Sequence, residues 1–400
     1  MGPFLAFWPL LASFAAVPTS NSPTPNLVEV NRIFAELSAT TGFRIRHPVK
    51  FEVLSRQQVN RFLEERIREA VRPAELRAEE LTLKKLGFVP ADFDLKKTTI
   101  ALLTEQTAAF YDYHRKQLFL TDWASASLRD AATVHEMAHA LADQNFSLER
   151  FAKKAQNDTE KAAARQAVVE GQASWLMREL AKRSTIRNEA EPEQAPFPEF
   201  DRAPRYLRET LTFPYNYGTE FQQAVYARFG KESFRRVFLE PPISTQQILH
   251  PEMYFAGTLP APVSLPAIHG MKMIVDGSLG ELEHSILLRQ WTTSEEAGEA
   301  SPHWRGGRFQ LWENRKSGRI SLVYGSVWDS ESSAANFFSL YRRVLQQKLR
   351  KVAVSEQTET LYAGTAEDGY FDLQREGTAI TAREGLALLP RRRALQGIID

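Results

Sequence analysis

The segment His135-Glu136-Met137-Ala138-His139 combines three ionisable side chains with flanking residues that are almost all apolar. In a helix, a separation of four residues places both imidazoles on one face, about one turn apart. The apolar neighbours predict that this helix is buried, and buried His and Glu side chains need partners. The pattern therefore favours an interior metal site over the alternative of polar residues on a solvated helix face.

Two histidines leave a catalytic zinc site one protein ligand short, because such sites usually combine three protein ligands with water. The longer pattern HExxHxxGxxH does not continue here, since Ala142 and Asn145 occupy its Gly and third His positions. We expect Glu170, on the helix predicted over 159–183, to be the third ligand; a capping or ion-paired glutamate is the alternative. Asp143 is a rival ligand that we interpret instead as an acceptor for an imidazole N–H.

Glu136 stands beside the first histidine, where a carboxylate can take a proton from metal-bound water and return it to a leaving amine. Hydrolysis also needs a donor for the oxyanion that develops on the substrate carbonyl. We expect Tyr217 or His250 to be that donor, with Tyr215 as a further candidate. For each of them the alternative is an ordinary packed phenol or an imidazole that braces a loop.

Composition excludes several other kinds of site. The chain has no cysteine, so thiolate metal sites, cysteine nucleophiles and disulfides are excluded. Lys and Arg total 50 against 49 Asp and Glu, which gives a net charge of +1 and no overall field that favours nucleic acid or an anionic membrane. We expect a peptide or protein substrate, no nucleic acid and no membrane contact beyond the N-terminus. The sequence predicts no particular oligomeric state.

Residues 1–25 have the pattern of a signal peptide followed by an exposed spacer. The apolar run Phe4–Val17 has the length of a signal-peptide core and is too short for a spanning helix. This pattern predicts a secreted or cell-envelope protein. Because Met1–Pro3 contains no Lys or Arg, the alternatives are a retained N-terminal anchor and a misassigned start.

The rest of the chain divides into a helical part, 26–264, and an α+β part, 265–400. Within the first part the segments 109–113 and 117–120 predict a β-hairpin, which is either an edge for an extended peptide or simply a solvated hairpin. Pro214 is expected to separate a helix over 206–212 from another over 217–229. In the second part we expect the following elements: strands over 307–313 and 319–328, a helix over 330–350 and a strand within 379–389.

The motif HEMAHALADQNF, followed by VVEGQA on the next predicted helix, resembles the gluzincin type of zinc metallopeptidase. The order of further segments, LGFVPADFDL, AFYDYHRKQLFL, FPYNYG and PPISTQQILHPEMY, resembles a group of largely uncharacterised bacterial HExxH proteins over 86–254. The resemblance implies a zincin-like fold with His135, His139 and Glu170 as zinc ligands and Glu136 as general base. Ser174 stands where the best known gluzincins have an Asp four residues after the ligand Glu, so the residue that usually supports the zinc ligands from this position is absent, while the metal ligands themselves are present.

The sequence thus predicts an α+β protein with a mainly helical, zincin-like catalytic domain and a small C-terminal sheet domain. The expected activity is hydrolysis of peptide bonds with zinc as cofactor. The alternative is a metal-bound binding or assembly protein without catalysis. In such a protein the zincin helices serve packing, and the cleft binds a partner. Glu136 argues against that alternative, because a purely structural zinc site closes all four positions with protein ligands and needs no base.

Overall fold

The computed structural model describes residues 27–70, 72–123, 126–183 and 197–387. The chain is a mixed α+β protein with an antiparallel sheet towards its C-terminus, in agreement with the predicted class. It divides into two compact units: the N-terminal unit holds the described residues up to Glu80 and those from Asp92 to Thr258, and the C-terminal unit holds Leu81–Ala91 and the described residues from Leu259 onward. The predicted signal peptide and spacer lie outside the described residues.

Helices make up most of the N-terminal unit. The helices in chain order are α1 (Leu27–Thr41), α2 (Arg56–Ala70), α3 (Pro73–Leu86, whose last residues belong to the C-terminal unit), α4 (Leu95–Gln106), α5 (Ala126–Phe146), α6 (Leu148–Lys153), α7 (Thr159–Arg183), α8 (Pro198–Arg202), α9 (Arg205–Phe229), α10 (Ser233–Leu239), α11 (Thr245–Leu249) and α12 (Pro251–Ala256). None of the helices in the described part of the chain combines the length and the hydropathy needed to cross a bilayer.

A small three-stranded sheet accompanies these helices. Its strands are β1 (Lys50–Leu54), β2 (Ala109–Asp112) and β3 (Gln117–Thr121), in the order β1-β3-β2. β3 runs parallel to β1 and antiparallel to β2, so the predicted hairpin is confirmed. The hairpin is not a solvated one, because β2 is buried along its whole length.

Pro214 does not divide the chain into two helices. Residues Arg205–Phe229 form one continuous helix, α9, with the proline inside it. A proline removes one N–H bond and crowds the preceding turn, at a cost of roughly 3 kcal/mol in an isolated helix. Here Leu207 and Leu211 before the proline and Phe221 and Val225 after it are all buried. Burial of apolar side chains on both sides of the proline keeps the two halves in one helix, which the local pattern did not reveal.

The C-terminal unit is built on a seven-stranded antiparallel sheet. Its elements are β4 (Lys272–Ser278), α13 (Glu281–Trp291), α14 (Ser294–Ala300), β5 (Trp304–Glu313), β6 (Ile320–Trp328), α15 (Glu331–Lys348), β7 (Ala353–Gln357), β8 (Leu361–Ala366), β9 (Gly369–Glu376) and β10 (Ala379–Leu386). The strand order is β4-β5-β6-β10-β9-β8-β7. The predicted helix and strands correspond to β5, β6, α15 and β10, whereas β4, β7, β8 and β9 were not predicted.

The segment Leu81–Ala91, which the sequence analysis placed in the first domain, belongs to this unit. Its contacts explain the assignment: the carbonyl of Gly87 accepts a hydrogen bond of 2.6 Å from the Gln290 side chain, and Lys85 Nζ lies 2.5 Å from Asp368 Oδ2. These contacts join residues more than 200 positions apart in the chain, and no sequence pattern within Leu81–Ala91 predicts them.

A buried histidine lies in the core of the C-terminal unit. His284 Nδ1 is 2.6 Å from the carbonyl oxygen of Gly280, and its Nε2 is 2.6 Å from the Tyr324 hydroxyl. Around it pack Trp304, at 6.4 Å between ring centroids, and Trp328, at 5.7 Å. Burial lowers the pKa of His284 to about 4, so the ring is neutral, donates from Nδ1 to Gly280 and accepts from Tyr324.

Candidate metal centre

The HExxH segment lies in the middle of α5, and its three ionisable side chains are buried. His135 is 1 % exposed, Glu136 3 % and His139 8 %. The apolar residues Met137, Ala138 and Ala140 are buried in the same helix, as their pattern predicted. The ligand atoms of the two histidines and of Glu136 all lie within 4.8 Å of one another, so the local spacing concentrates three potential ligands in one place.

Glu170 of α7 completes this cluster from a second helix. Its Oε2 lies 3.0 Å from His135 Nε2 and 3.2 Å from His139 Nε2, and the two Nε2 atoms are 2.9 Å apart. Two imidazole nitrogens and a carboxylate oxygen therefore converge on one point. This donor set suits a divalent transition metal, which accepts imidazole and carboxylate ligands at about 2.0 to 2.2 Å.

The charges at the cluster favour cation binding. Burial alone would raise the pKa of Glu170, but His139 and His135 outweigh it and lower that pKa to about 2, so the carboxylate is ionised at neutral pH. Burial acts to lower the pKa of His139, but the charge and hydrogen bond of Glu170 outweigh burial, so the pKa of His139 is raised. The anionic Glu170 thus attracts a positive charge to the point where the two rings meet.

Glu136 takes a different position from Glu170. Its Oε2 accepts a 2.8 Å hydrogen bond from the backbone N–H of Tyr111 in β2. Burial raises the pKa of Glu136 above its ordinary value, which makes the carboxylate a better proton acceptor. Because the Glu170 carboxylate lies against both imidazole rings, Glu170 is the better placed third ligand, and Glu136 lies beside the centre with its Oε2 held by the Tyr111 N–H.

The second oxygen of Glu170 has a partner that the sequence analysis did not find. Gln166 Nε2 donates to Glu170 Oε1 at 2.9 Å, and both residues belong to α7. Gln166 precedes the glutamate by four residues, whereas the resemblance to gluzincins directed attention to Ser174, four residues after it. A partner one turn earlier on the same helix face is equally well placed to orient the carboxylate. The i, i+4 spacing of Gln166 and Glu170 is the signal that was available in the sequence.

A close helix crossing brings a third helix to the centre. Gly171 of α7 faces Gly218 of α9, so that a Cβ on Gly171 would lie 2.1 Å from the Gly218 carbonyl carbon. The small residues Gly171 and Ala173 beside Glu170 predict that its helix can approach a second helix closely enough to share an ion. At Gly171 the close approach is to α9, and the glycine lets α7 and α9 touch backbone to backbone.

The crossing places Tyr215 of α9 in the centre. Its ring stacks on His135 at 5.9 Å between centroids, and its hydroxyl donates to Glu170. Burial raises the pKa of the Tyr215 phenol well above its usual value, so the hydroxyl keeps its proton and acts as a donor. Tyr215 is therefore the phenol that the structure brings to the candidate site.

Tyr217 faces away from Tyr215. Tyr217 is 39 % exposed and packs against Phe213, because a step of two residues on α9 turns its side chain roughly 200° away from that of Tyr215. His250 precedes α12, with its Nδ1 3.7 Å from Glu252 Oε1. Of the two phenols in FPYNYG, it is therefore Tyr215 and not Tyr217 that contacts the cluster, while the role of an oxyanion donor stays a prediction for Tyr217 and His250.

Asp143 is neither a ligand nor an acceptor for an imidazole. Its Oδ2 accepts from the Tyr111 hydroxyl at 3.0 Å and lies 2.6 Å from Lys116 Nζ, and its Oδ1 accepts from the backbone N–H of Leu148 at 3.0 Å. The expected imidazole contact is therefore wrong. Asp143 shares a helix face with Glu136, seven residues earlier, and the hairpin of β2 and β3 covers that face.

A family model described as a domain of unknown function (DUF8575) matches residues 271–392, which is less than a third of the chain. No curated protein and no solved structure matches the chain. The matched residues coincide with the sheet of the C-terminal unit. The matched part therefore contains none of the side chains of the candidate metal centre.

Proposed function

We propose that this protein is a zinc-dependent peptidase whose N-terminal unit is a zincin-like catalytic domain. His135, His139 and Glu170 hold the ion, and Glu136 is the general base. The observation that carries the proposal is the approach of Glu170 Oε2 to within 3.2 Å of both imidazole Nε2 atoms, with the carboxylate of Glu136 beside them. The donor set of two nitrogens and one oxygen is that of many catalytic zinc sites with one position left for water.

Zinc bound there would lower the pKa of a water molecule towards about 7 and polarise the carbonyl of the scissile bond. Glu136 takes the proton from the attacking water and delivers it to the departing amine nitrogen. Its raised pKa suits both steps, because the acid formed in the first step has to be stable enough to reach the second. Tyr215 donates its one hydroxyl proton to Glu170 in the free protein, and in the proposed mechanism this donor turns to the oxyanion that develops on the substrate.

The substrate in this proposal is a peptide or protein. The location outside the cytoplasm rests on residues 1–25, which lie outside the described part of the chain, and it remains a prediction. A protein that binds a metal and a partner without catalysis is the second candidate. The raised pKa and separate position of Glu136 favour the peptidase, because a closed structural site has no use for a carboxylate beside its ligands.

The test combines metal analysis with hydrolysis of a fluorescent casein and of a quenched peptide library. We expect wild type and Glu136→Gln to bind one zinc per chain, and Glu136→Gln to be slower by about 10²- to 10⁴-fold. Glu179→Gln, at a partly exposed glutamate of α7 that pairs with Lys182, is the matched control and is expected to keep full activity. Stoichiometric zinc in a wild-type protein that cleaves neither substrate would favour the binding role, and absence of zinc would remove the metal centre from the proposal.

A further inference from the structure

Two strained backbone positions lie next to Asp143. Among the described residues, Lys116, Ser147 and Lys351 are the non-glycine residues with positive φ, at 55°, 56° and 53°. A left-handed conformation costs an L-residue roughly 1 to 2 kcal/mol. Strain of this kind persists where surrounding contacts require it, and such sites are often functional. Two of these three residues, Lys116 and Ser147, belong to turns that contact the same carboxylate, that of Asp143.

Each of these turns supplies Asp143 with a donor. Lys116 is at the tip of the hairpin and brings its Nζ to 2.6 Å from Asp143 Oδ2. Ser147 forms the turn between α5 and α6, and the next backbone N–H, that of Leu148, donates to Asp143 Oδ1. The Asp143 side chain itself is almost completely buried. The strained turns are therefore those that place donors around a buried anion.

Tyr111 connects Asp143 to the general base. Its hydroxyl donates to Asp143 Oδ2 and its backbone N–H donates to Glu136 Oε2. Burial raises the pKa of the Tyr111 phenol, so the hydroxyl keeps the proton that it donates. Glu136 and Asp143 are seven residues apart on α5, about two turns, and so lie on one face of the helix. Strand β2 is thus attached to this face at two points through one residue.

The backbone N–H of Tyr111 is available for this contact because of the sheet register. Thr121 N–H donates to Ala108 O, which makes Ala108 and Thr121 a hydrogen-bonded pair, and the register places Tyr111 opposite Leu118. In an antiparallel ladder the hydrogen-bonded pairs alternate, so the N–H of Tyr111 points away from β3. β2 is also the edge strand of the sheet. The register therefore leaves this N–H outside the ladder, and the position of β2 against α5 brings it to the carboxylate of Glu136.

We propose that Asp143 is a positioning residue for the general base: by holding Tyr111 and Lys116 it fixes β2 so that the Tyr111 N–H orients the carboxylate of Glu136. This inference rests on the proposed function for its catalytic consequence. The geometric part concerns only Asp143, Tyr111 and Glu136 and can be measured without turnover. Loss of the Asp143 contacts lets β2 move relative to α5, and a small displacement of a reacting group costs much of the rate.

The experiment uses the full chain labelled with [¹⁵N]tyrosine, which gives one amide resonance for each of the 11 tyrosines. Tyr111→Phe assigns the resonance of residue 111 by its disappearance, and Glu136→Ala shows where that resonance lies without the carboxylate. In Asp143→Asn we expect the Tyr111 amide resonance to move towards its position in Glu136→Ala. We also expect kcat to fall about ten- to a hundredfold in Asp143→Asn and in Tyr111→Phe, with KM and zinc content unchanged.

Tyr113→Phe is the matched control, because it removes a buried hydroxyl just beyond the same strand, from a residue whose ring packs on His114. It is expected to leave the Tyr111 resonance and kcat as in wild type. If Asp143→Asn does not fold, Lys116→Gly tests the same attachment, since glycine adopts the positive φ without strain. It is expected to move the resonance in the same direction.

An unmoved Tyr111 resonance in Asp143→Asn would overturn the inference, and so would a loss of kcat that follows a loss of zinc. A wild-type protein without any hydrolytic activity would instead refute the proposed function. In that case the amide resonance still decides whether Asp143 positions Glu136.

Discussion

Gly171 and Gly218 lie in direct backbone contact where α7 crosses α9. A Cβ atom on Gly171 would lie 2.1 Å from the carbonyl carbon of Gly218, and one on Gly218 would lie 2.3 Å from the carbonyl oxygen of Ala167. Backbone atoms cannot move aside as a flexible side chain can, so even a methyl group has no room here. Because Glu170 precedes Gly171 and Tyr215 lies one turn before Gly218, this crossing sets the distance between two residues of the candidate site.

The substitution Gly171→Ala is expected to separate α7 from α9. We expect a loss of about 3 kcal/mol in the free energy of unfolding, the upper part of the usual range for overpacking, together with weaker zinc binding. Urea denaturation and zinc titration measure the two effects. Gly298→Ala in α14 is the control, because no atom lies within 4 Å of its new Cβ, and alanine is favoured in a helix by up to about 1 kcal/mol. Equal behaviour of the two variants would contradict the proposed role of the crossing.

Gln166→Leu removes the amide that donates to Glu170 Oε1. We expect the affinity for zinc to fall about ten- to a hundredfold, because a ligand carboxylate without its partner is less well oriented. Competition with a chelator of known affinity measures the change. Gln172→Leu removes a buried amide from the same helix, one that donates to the Phe234 carbonyl, and is expected to lower stability but not zinc affinity. A similar loss of affinity in both variants would show that the effect of Gln166 is not specific to the centre.

Tyr215→Phe and Tyr217→Phe distinguish the two phenols of the segment FPYNYG. Tyr215→Phe is expected to lower kcat/KM by about ten- to a hundredfold, since its hydroxyl contacts Glu170 beside the His135 ring. Tyr217→Phe is expected to keep the wild-type rate, because this side chain is on the opposite side of α9 and exposed. Steady-state kinetics on one peptide substrate are sufficient. A larger effect at Tyr217 would restore the assignment made from the sequence.

The C-terminal unit is expected to lose stability on mild acidification. His284 has a pKa of about 4 in the folded protein, against 6.5 for an ordinary histidine, so the unfolded chain binds one more proton between these values. The contribution of neutral His284 is fully present above pH 6.5 and decreases as the pH falls towards 4, by about 3 kcal/mol.

Denaturant unfolding followed by tryptophan fluorescence, to which Trp304 and Trp328 beside His284 contribute, measures this dependence between pH 4 and 7. His284→Gln is expected to be less stable at pH 7 and to show a flatter pH profile than wild type. His269→Gln, at an exposed histidine of the same unit, serves as the control and is expected to retain the wild-type profile. An unchanged slope in His284→Gln would assign the acid sensitivity to another group.

Much of the secondary structure was accessible from local patterns. The helix predicted over 159–183 has the same bounds in the structure, and the hairpin and the strands β5, β6 and β10 were found within a few residues. Strands β7 to β9 were missed, and β7 shows why: all five of its residues are exposed, so it has no apolar alternation to detect. The prediction of a helix break at Pro214 was wrong, because α9 is held together by packing against residues that are distant in the sequence.

The sequence by itself determined the pairing of His135 with His139 and the place of Glu136 beside them, because positions one and four apart on a helix have a fixed geometry. It also indicated Glu170 through the buried character of its helix. Only the tertiary structure decided that Tyr215 and not Tyr217 reaches the centre, that Gln166 holds the carboxylate, and that Asp143 contacts Tyr111 and Lys116 instead of an imidazole. These choices depend on how helices and strands from distant parts of the chain rotate and approach one another, and no local periodicity fixes that.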